Sequence, residues 1–84
     1  GDVYKRQNVD MSIPHGVCLS GEVGLSGEIR PVTRMEQRVR EADKLGMKTI
    51  IIPRGSLKGV DTSKLSIEIA EVDKVEEAFR HLFG

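Results

Sequence analysis

The chain has 84 residues, enough for one domain or part of one, and a chain of this size buries only about 60% of its unfolded surface. Hydrophobic residues make up 38% of it and aromatic residues 4%, so the core must be aliphatic. One cysteine excludes an internal disulfide, no residue spacing fits a zinc site, and no apolar run approaches the roughly 20 residues that cross a bilayer. These features predict a reducing, cytoplasmic setting without a membrane role.

The net charge of zero hides an uneven distribution along the chain. Residues 1–27 carry two basic and three acidic side chains, residues 28–64 nine and five, and residues 65–84 two and five. The central segment therefore has a net charge of nine minus five, or +4. A basic centre can face phosphate, or it can pair with acidic groups of the same domain or of a second subunit.

The amino-terminal part is predicted to lie outside the regular fold. Residues 1–7 share no pattern with the rest of the chain, which indicates a foreign or unrelated leader, so the domain is assigned to residues 8–84. Residues 8–16 contain Pro14 and Gly16 and are typical of a loop. On this interpretation the chain is a fragment of a longer protein.

A β-hairpin with a glycine turn is predicted next. Residues 16–23 alternate imperfectly between apolar and polar side chains, and residues 28–32 form the partner strand. The turn at residues 24–27, Gly-Leu-Ser-Gly, has glycine available where a hairpin needs positive φ. Pro31 cannot donate to a strand ladder, so it belongs at a strand end or on an edge.

An amphipathic helix follows, with signals at both ends. Thr33 and Glu36 match the Ser/Thr-x-x-Glu capping box, and Gly46 supplies a left-handed stop. One apolar stripe is expected to pack on the sheet, namely Met35, Val39, Ala42 and Leu45. The expected surface pairs are Glu36 with Arg40 and Arg40 with Asp43.

The last part of the chain predicts a strand, a polar loop, a strand and a helix. Three consecutive isoleucines in residues 48–52 indicate burial on both faces, as in a parallel sheet, and strand–helix–strand order predicts a right-handed βαβ crossover. Residues 54–64 are the loop, residues 66–72 the strand, and Asp73 with Glu76 a second capping pair. The expected apolar face of the terminal helix is Val75, Ala78, Phe79, Leu82 and Phe83. The fold class is α/β, with α+β as the alternative.

Residues 20–53, which contain the hairpin, the helix and the isoleucine strand, also carry a family resemblance. They resemble the RadA (Sms) family of bacterial DNA repair and recombination proteins, whose C-terminal domain resembles the proteolytic domain of Lon. The similarity extends from about residue 8 to residue 84 and implies an incomplete Lon-protease-like C-terminal domain. For the parent protein it implies a DNA-dependent ATPase that drives branch migration as a ring, hexameric by resemblance. The implied ATP, Mg and Zn would be held by domains outside this chain.

The resemblance to Lon raises the possibility of proteolysis by a serine–lysine dyad. When residues 27–32 are aligned with the protease pattern, Glu36 occupies the position of the catalytic lysine. A carboxylate cannot replace the amine base of that dyad. Ser20, Ser26 and Ser56 lack a recognisable lysine or histidine partner, so the chain is predicted to have no catalytic residue. An active Lon-type Ser-Lys peptidase fragment is the alternative.

The basic centre supplies candidate DNA contacts. They are Arg30, Arg34, Arg38, Arg40, Lys44, Arg54 and Lys58. Arg34 and Arg38 lie one helical turn apart, and phosphate or Glu41 would relieve their repulsion. Because no aromatic residues interleave with them, contact would be to the backbone of single-stranded or branched DNA and would depend on salt. A purely structural oligomerisation module, using Leu25 and Leu57, is the alternative without DNA contact. No cofactor or metal is assigned to this chain, and the hairpin glycines lack the lysine of a P-loop.

Overall fold

The computed structural model describes the backbone of residues 6–13 and the backbone and side chains of residues 16–83. The described strands are β1 (Arg6–Ile13), β2 (Val17–Gly24), β3 (Ile29–Arg30), β4 (Thr49–Pro53) and β5 (Glu68–Val72). The described helices are α1 (Met35–Lys44) and α2 (Val75–Phe83). This mixture of helices and one sheet confirms the predicted α/β class.

The described strands form one mixed sheet in the order β1-β2-β4-β5, with the short β3 also paired to β2. β2 is antiparallel to β1 along its whole length. Its other side pairs in parallel with β4 at residues 17–19 and in antiparallel with β3 at residues 22–23. β5 is parallel to β4. The predicted hairpin is therefore present, and α1 connects it to β4, whose parallel partner in the hairpin is β2.

β4 is buried on both of its faces, as its isoleucines predicted. Ile50, Ile51 and Ile52 are 2%, 0% and 0% exposed. Ile50 and Ile52 pack with Met35, Val39, Ala42 and Ile67 on the α1 side of the sheet. Ile51 packs with Leu19, Ile29, Val72 and Ala78 on the α2 side. Because successive side chains of a strand point to opposite faces, β4 joins two separate aliphatic clusters.

β1 corrects the prediction of a loop at residues 8–16. Eight residues, from Arg6 to Ile13, pair in register with β2. Apolar residues alternate at positions 9, 11 and 13, and this alternation indicates a strand. The prediction of a loop gave more weight to the turn-forming residues Pro14 and Gly16. Residues 1–5 of the predicted leader lie outside the described residues, and positions 6 and 7 belong to β1. The boundary between leader and domain stays a prediction.

The start of α1 differs from the predicted capping box. The helix begins at Met35 after Arg34, which has left-handed angles (φ 59°, ψ 35°) and makes no side-chain capping hydrogen bond. Thr33 is therefore one position too early to be the N-cap. The carboxylate of Glu36 instead accepts hydrogen bonds from Arg40, whose Nη2 lies 2.7 Å from Oε2. This confirms the Glu36–Arg40 pair and removes Glu36 from the cap.

The end of α1 confirms Gly46 as the stop. Gly46 has φ 83°, and the N–H groups of Gly46 and Met47 donate to the carbonyls of Asp43 and Ala42, both at 3.1 Å. These two bonds make a Schellman motif. Leu45, predicted on the buried stripe, is 76% exposed. The reason is that the chain leaves the helix at Leu45, so Met47 after the reversal packs against the core instead.

Asp43 ties α1 to the segment that enters β5. Its Oδ1 accepts the backbone N–H of Ser66 at 3.1 Å and of Ile67 at 3.0 Å. The predicted pairing of Asp43 with Arg40 is thus replaced by two bonds to backbone amides. An amide that would otherwise be buried without a partner costs stability, so this carboxylate helps to position β5.

The terminal helix α2 is capped by Glu77 and not by Glu76. The Oε1 of Glu77 accepts the N–H of Asp73 at 2.9 Å and of Lys74 at 3.2 Å. The helix begins at Val75, one residue later than a cap at Asp73 requires, and Asp73 binds Arg54 instead.

The predicted apolar face of α2 is only partly buried. Ala78 is buried, and Val75 and Leu82 pack beside it. Phe79 and Phe83 are 51% and 78% exposed, with ring centroids 6.0 Å apart. Both rings therefore lie on the exposed flank of the helix.

Gly21 lies where β2 changes partner from β4 to β3. A Cβ built on Gly21 would lie 2.8 Å from Cγ2 of Ile29 and 3.2 Å from Cγ of Pro53. Both neighbours are buried, so neither can move aside freely. A side chain at this position would therefore overpack the core.

We predict that Gly21→Ala lowers the free energy of unfolding by about 1–3 kcal/mol, because the new methyl group overpacks Ile29 and Pro53. Gly24→Ala in the same strand is the matched control. There the new methyl group meets only the carboxylate of Glu28, a flexible end that can swing away, so the change should stay within about 0.5 kcal/mol. Urea denaturation of the two variants and the unmodified chain measures both values. Equal losses would contradict the role given to Gly21.

Candidate nucleic-acid interface

Arg34 and Arg38 line one open groove on α1. The groove has a volume of about 240 Å³ and is formed by Thr33, Arg34, Gln37, Arg38 and Glu41, and we call it the α1 groove. The helical spacing of three and four residues brings these side chains to one flank of the helix. The structure therefore brings together the two arginines that the sequence singled out. Gln37 also lines the groove, although it was not among the predicted residues. Its spacing of three residues from Arg34 and four from Glu41 would have placed it on the same flank of the helix.

Arg34 has an unusual backbone and an unengaged side chain. Left-handed angles cost a residue with a side chain on the order of 1 kcal/mol relative to glycine. Within residues 16–83 its guanidinium makes no hydrogen bond or ion pair with another described residue. It stands at the amino end of α1, where the helix dipole is positive and no side chain caps the first turn.

Arg38 and Glu41 are partly engaged inside the α1 groove. Nε of Arg38 donates to the carbonyl oxygen of Thr33 at 3.3 Å, and Arg38 is half-buried. The side-chain amide of Gln37 donates to Oε1 of Glu41, also at 3.3 Å. The groove thus holds two guanidinium groups and one carboxylate, a net charge of two minus one, or +1.

Arg40 lies on a different flank of α1. It forms the ion pair with Glu36 described above. It also lies near Asp61, whose pKa is lowered mainly by hydrogen bonds from Ser63 and to a smaller extent by the charge of Arg40. The positive charge of Arg40 therefore already interacts with the carboxylates of Glu36 and Asp61.

Arg54 is held at the carboxyl end of the sheet. Its Nε lies 3.2 Å from Oδ2 of Asp73, and its Nη2 donates to the carbonyl of Glu71 at 3.4 Å. The hydrogen bond to Asp73, followed by the charge of Asp73, raises the pKa of Arg54. These contacts join the end of β4 to the start of α2.

Lys58 borders a second open groove, of about 630 Å³, between residues 54–62 and β5. We call it the β5 groove, and its lining includes Arg54, Leu57, Lys58, Val60, Ile69 and Glu71. The sequence had named only Arg54 and Lys58 of this set as DNA contacts. The apolar walls come from a segment predicted to be a polar loop and from a strand that is distant in sequence.

Arg30 and Lys44 are exposed and lie on different elements of the fold. Arg30 is on β3, four residues before Arg34, whereas Lys44 is in the last turn of α1. At a rise of about 1.5 Å per residue, α1 separates Lys44 from Arg34 by about 15 Å. The seven predicted residues therefore do not form one patch.

Glu36, predicted to stand at the position of the protease lysine, is exposed on the surface of α1. Glu36 there faces Arg40 and no serine hydroxyl bonds to it in the described residues. Ser20 is buried in β2, Ser26 is exposed in the hairpin turn, and the hydroxyl of Ser56 donates to the carbonyl of Pro53 at 2.6 Å. These serines occupy separate parts of the fold.

The described residues include neither a candidate metal site nor a candidate membrane span. No group of three or more His, Cys, Asp or Glu side chains there could hold a metal ion. The thiol of Cys18 donates to the carbonyl of Thr49 at 3.7 Å, between two strands. No helix in this part of the chain is long and apolar enough to cross a membrane.

Comparison with known proteins identifies the family. The family model of the Lon protease (S16) C-terminal proteolytic domain matches residues 6–84. The DNA repair protein RadA of Bacillus subtilis is 52% identical over 67 residues, which cover 80% of this chain and 14% of that protein. RadA of Streptococcus pneumoniae is 44% identical over 67 residues, covering 80% of this chain and 16% of that protein.

RadA of Halalkalibacterium halodurans extends the match to 71 residues at 46% identity, covering 84% of this chain and 15% of the relative. The chain thus spans only a small part of the proteins that it resembles. The segment that the family model matches includes the hairpin, both helices and the isoleucine strand described above. The chain therefore belongs to the family of the Lon protease (S16) C-terminal proteolytic domain and is similar, within it, to the RadA DNA repair proteins.

Proposed function

We propose that this chain is a non-proteolytic Lon-like scaffold that faces DNA in a RadA-type DNA repair protein. The observation that carries the proposal is the α1 groove, where two arginines one helical turn apart share an open, net positive surface. The guanidinium of Arg34 has no partner within the described residues, so it is available to an external anion. Guanidinium groups bind phosphate oxygens in pairs of parallel hydrogen bonds.

The other basic residues differ in whether they already bind a carboxylate and in how near they lie to the α1 groove. These two differences rank them as candidate DNA contacts. Arg40 and Arg54 already bind carboxylates, which supports a role for both in holding the fold. Arg30 is exposed and stands four residues before Arg34 in the sequence, so we group it with Arg34 and Arg38. Lys44 and Lys58 lie away from the α1 groove. Arg30, Arg34 and Arg38 are therefore the proposed principal contacts.

The resemblance to RadA sets the proposal in a larger protein. In that protein, ATP hydrolysis would drive branch migration during recombinational repair in the cytoplasm. ATP, Mg and Zn would be bound by other domains, and the subunits would form a ring, hexameric by resemblance. The absence of aromatic residues between the basic residues of the central segment favours contact with the phosphates of single-stranded or branched DNA over base stacking.

We predict that the double variant Arg34→Asn, Arg38→Gln weakens binding of single-stranded DNA by the full-length protein about tenfold. Asn is chosen for position 34 because it tolerates left-handed angles. The slope of log affinity against log salt should become shallower by about 0.7 for each phosphate that the variant no longer binds. Fluorescence anisotropy at several salt concentrations measures both quantities, with subunit number followed by light scattering.

The matched control for this prediction is Lys44→Gln, Lys64→Gln, which also removes two exposed positive charges but away from the α1 groove. Its affinity should stay within about twofold of that of the unmodified protein. Its salt slope should equal that of the unmodified protein within error. Equal weakening by both double variants would show a general charge effect and contradict the proposed site.

The non-proteolytic part of the proposal concerns Glu36. We predict that the full-length protein does not hydrolyse an unfolded fluorescent substrate protein under conditions in which an active Lon protease does. Hydrolysis of the substrate by the full-length protein would contradict the prediction and favour the Ser-Lys peptidase alternative. The reason for the expectation is chemical, because a carboxylate paired with arginine is not an amine base.

A purely structural oligomerisation module is the second candidate function. Leu25 in the hairpin turn is 77% exposed, which favours a subunit contact there. Leu57, also considered for this role, is half-buried and packs against the α1 side of the core. A change in subunit number without a change in DNA affinity, in the experiment with Arg34 and Arg38, would favour this candidate.

A further inference from the structure

β5 is the last strand of the described sheet and has one unpaired edge. In its parallel ladder with β4, the N–H of Glu68 donates to Lys48 and the carbonyl of Val72 accepts from Arg54, both at 2.9 Å. Because alternate residues of a parallel strand bond to the same neighbour, the backbone groups of Ile69 and Glu71 point away from β4. Edge groups of this kind are a template for another strand.

Most of the outward backbone groups have no partner among the described residues. The carbonyl of Glu71 accepts a long bond from Arg54. The N–H and carbonyl of Ile69 and the N–H of Glu71 bond to no described side chain. These three groups are those that an added antiparallel strand requires, since one of its residues would exchange two bonds with Ile69 and a second would accept from Glu71.

The β5 groove lies beside this edge and supplies side-chain contacts. Leu57, Val60 and Ile69 give it half-buried aliphatic walls. Its volume of about 630 Å³ is large enough for more than one side chain of an added strand. Side chains two residues apart on a strand share a face, so residues i and i+2 of the added strand would both face the groove.

The charges of the β5 groove favour an acidic side chain. Arg54 and Lys58 line it against one carboxylate, Glu71, which already accepts the N–H of Gly55 at 3.2 Å. Lys58 makes no ion pair or side-chain hydrogen bond with any residue that the structure describes. Its ammonium is the group that an incoming carboxylate would neutralise. A second copy of β5 is a poorer occupant, because it would bring the carboxylates of both Glu68 and Glu71 to an edge that already carries the same two carboxylates.

We propose that β5 receives an extended segment of a partner protein as an additional strand, with an aliphatic side chain in the β5 groove and an acidic side chain two residues away beside Lys58. The backbone bonds to Ile69 and Glu71 would provide affinity, and the two groove contacts would provide selectivity. This surface is separate from the α1 groove, so the proposal does not depend on DNA binding.

The test uses the full-length protein and a fluorescent eight-residue peptide that is rich in threonine and has valine and glutamate two positions apart. A second peptide carries lysine in place of the glutamate, and a third is N-methylated on the amide that faces Ile69. We expect saturable binding of the first peptide in fluorescence anisotropy, with at least fivefold weaker binding of the other two.

Variants of the protein test the same contacts from the other side. Lys58→Glu should weaken the glutamate peptide about five- to tenfold and strengthen the lysine peptide, whereas Lys64→Glu, the same change at an exposed loop position, should alter neither by more than about twofold. Slower hydrogen exchange of the Ile69 and Glu71 amides in the complex should accompany binding. The proposal is overturned if the N-methylated peptide binds equally well, if Lys58→Glu has no effect, or if no peptide binds below about 1 mM. Failure to bind because another part of the full-length protein covers β5 would equally overturn it.

Discussion

The burial of β4 on both faces is the constraint on which the rest of the fold depends. A strand with isoleucine at three consecutive positions cannot leave either face to water, so a helix must cover each side. α1 covers Ile50 and Ile52, and α2 covers Ile51. The neighbouring strands must then approach closely. Gly21 permits this close approach at the point where the pairing partner of β2 changes from β4 to β3. Asp43 positions β5 by accepting hydrogen bonds from the amides of Ser66 and Ile67, which precede that strand.

The same arrangement decides where charged side chains are available. α1 returns to the start of β4 through the Schellman turn at Gly46, so its amino end lies toward the carboxyl ends of the parallel strands. Arg34 stands there, and Arg54 follows β4 directly at that end of the sheet. Their chemical situations differ, because Arg54 is bound to Asp73 whereas Arg34 has no partner in the described part of the chain. In open α/β sheets this end is where ligands are commonly bound. The proposed DNA surface is consistent with that general placement.

The two grooves offer different kinds of recognition on separate parts of the surface. The α1 groove presents guanidinium groups at a helix end and suits a phosphate. The β5 groove combines aliphatic walls, the ammonium group of Lys58, which has no partner among the described residues, and backbone groups on a free strand edge. This combination suits an extended polypeptide. The proposed polypeptide contact would be separate from catalysis, since we propose that Glu36 stands in place of the amine that the protease dyad needs. On these two proposals, the chain would contact DNA and an extended polypeptide through separate surfaces.

The sequence by itself determined the α/β class, the glycine hairpin, the buried isoleucine strand, the helix stop at Gly46 and the family, because each depends on local pattern or on a contiguous motif. It did not determine the helix caps. The choice between Glu76 and Glu77, or between Thr33 and Arg34 as the last residue before a helix, depends on where the chain leaves the preceding strand. It also missed β1 and the exposure of Leu45, Phe79 and Phe83, since pairing and burial depend on neighbours distant in sequence. Only the tertiary structure divided the seven basic residues into paired and available groups, because the carboxylates that bind Arg54 and the walls that surround Lys58 arrive from other strands and loops.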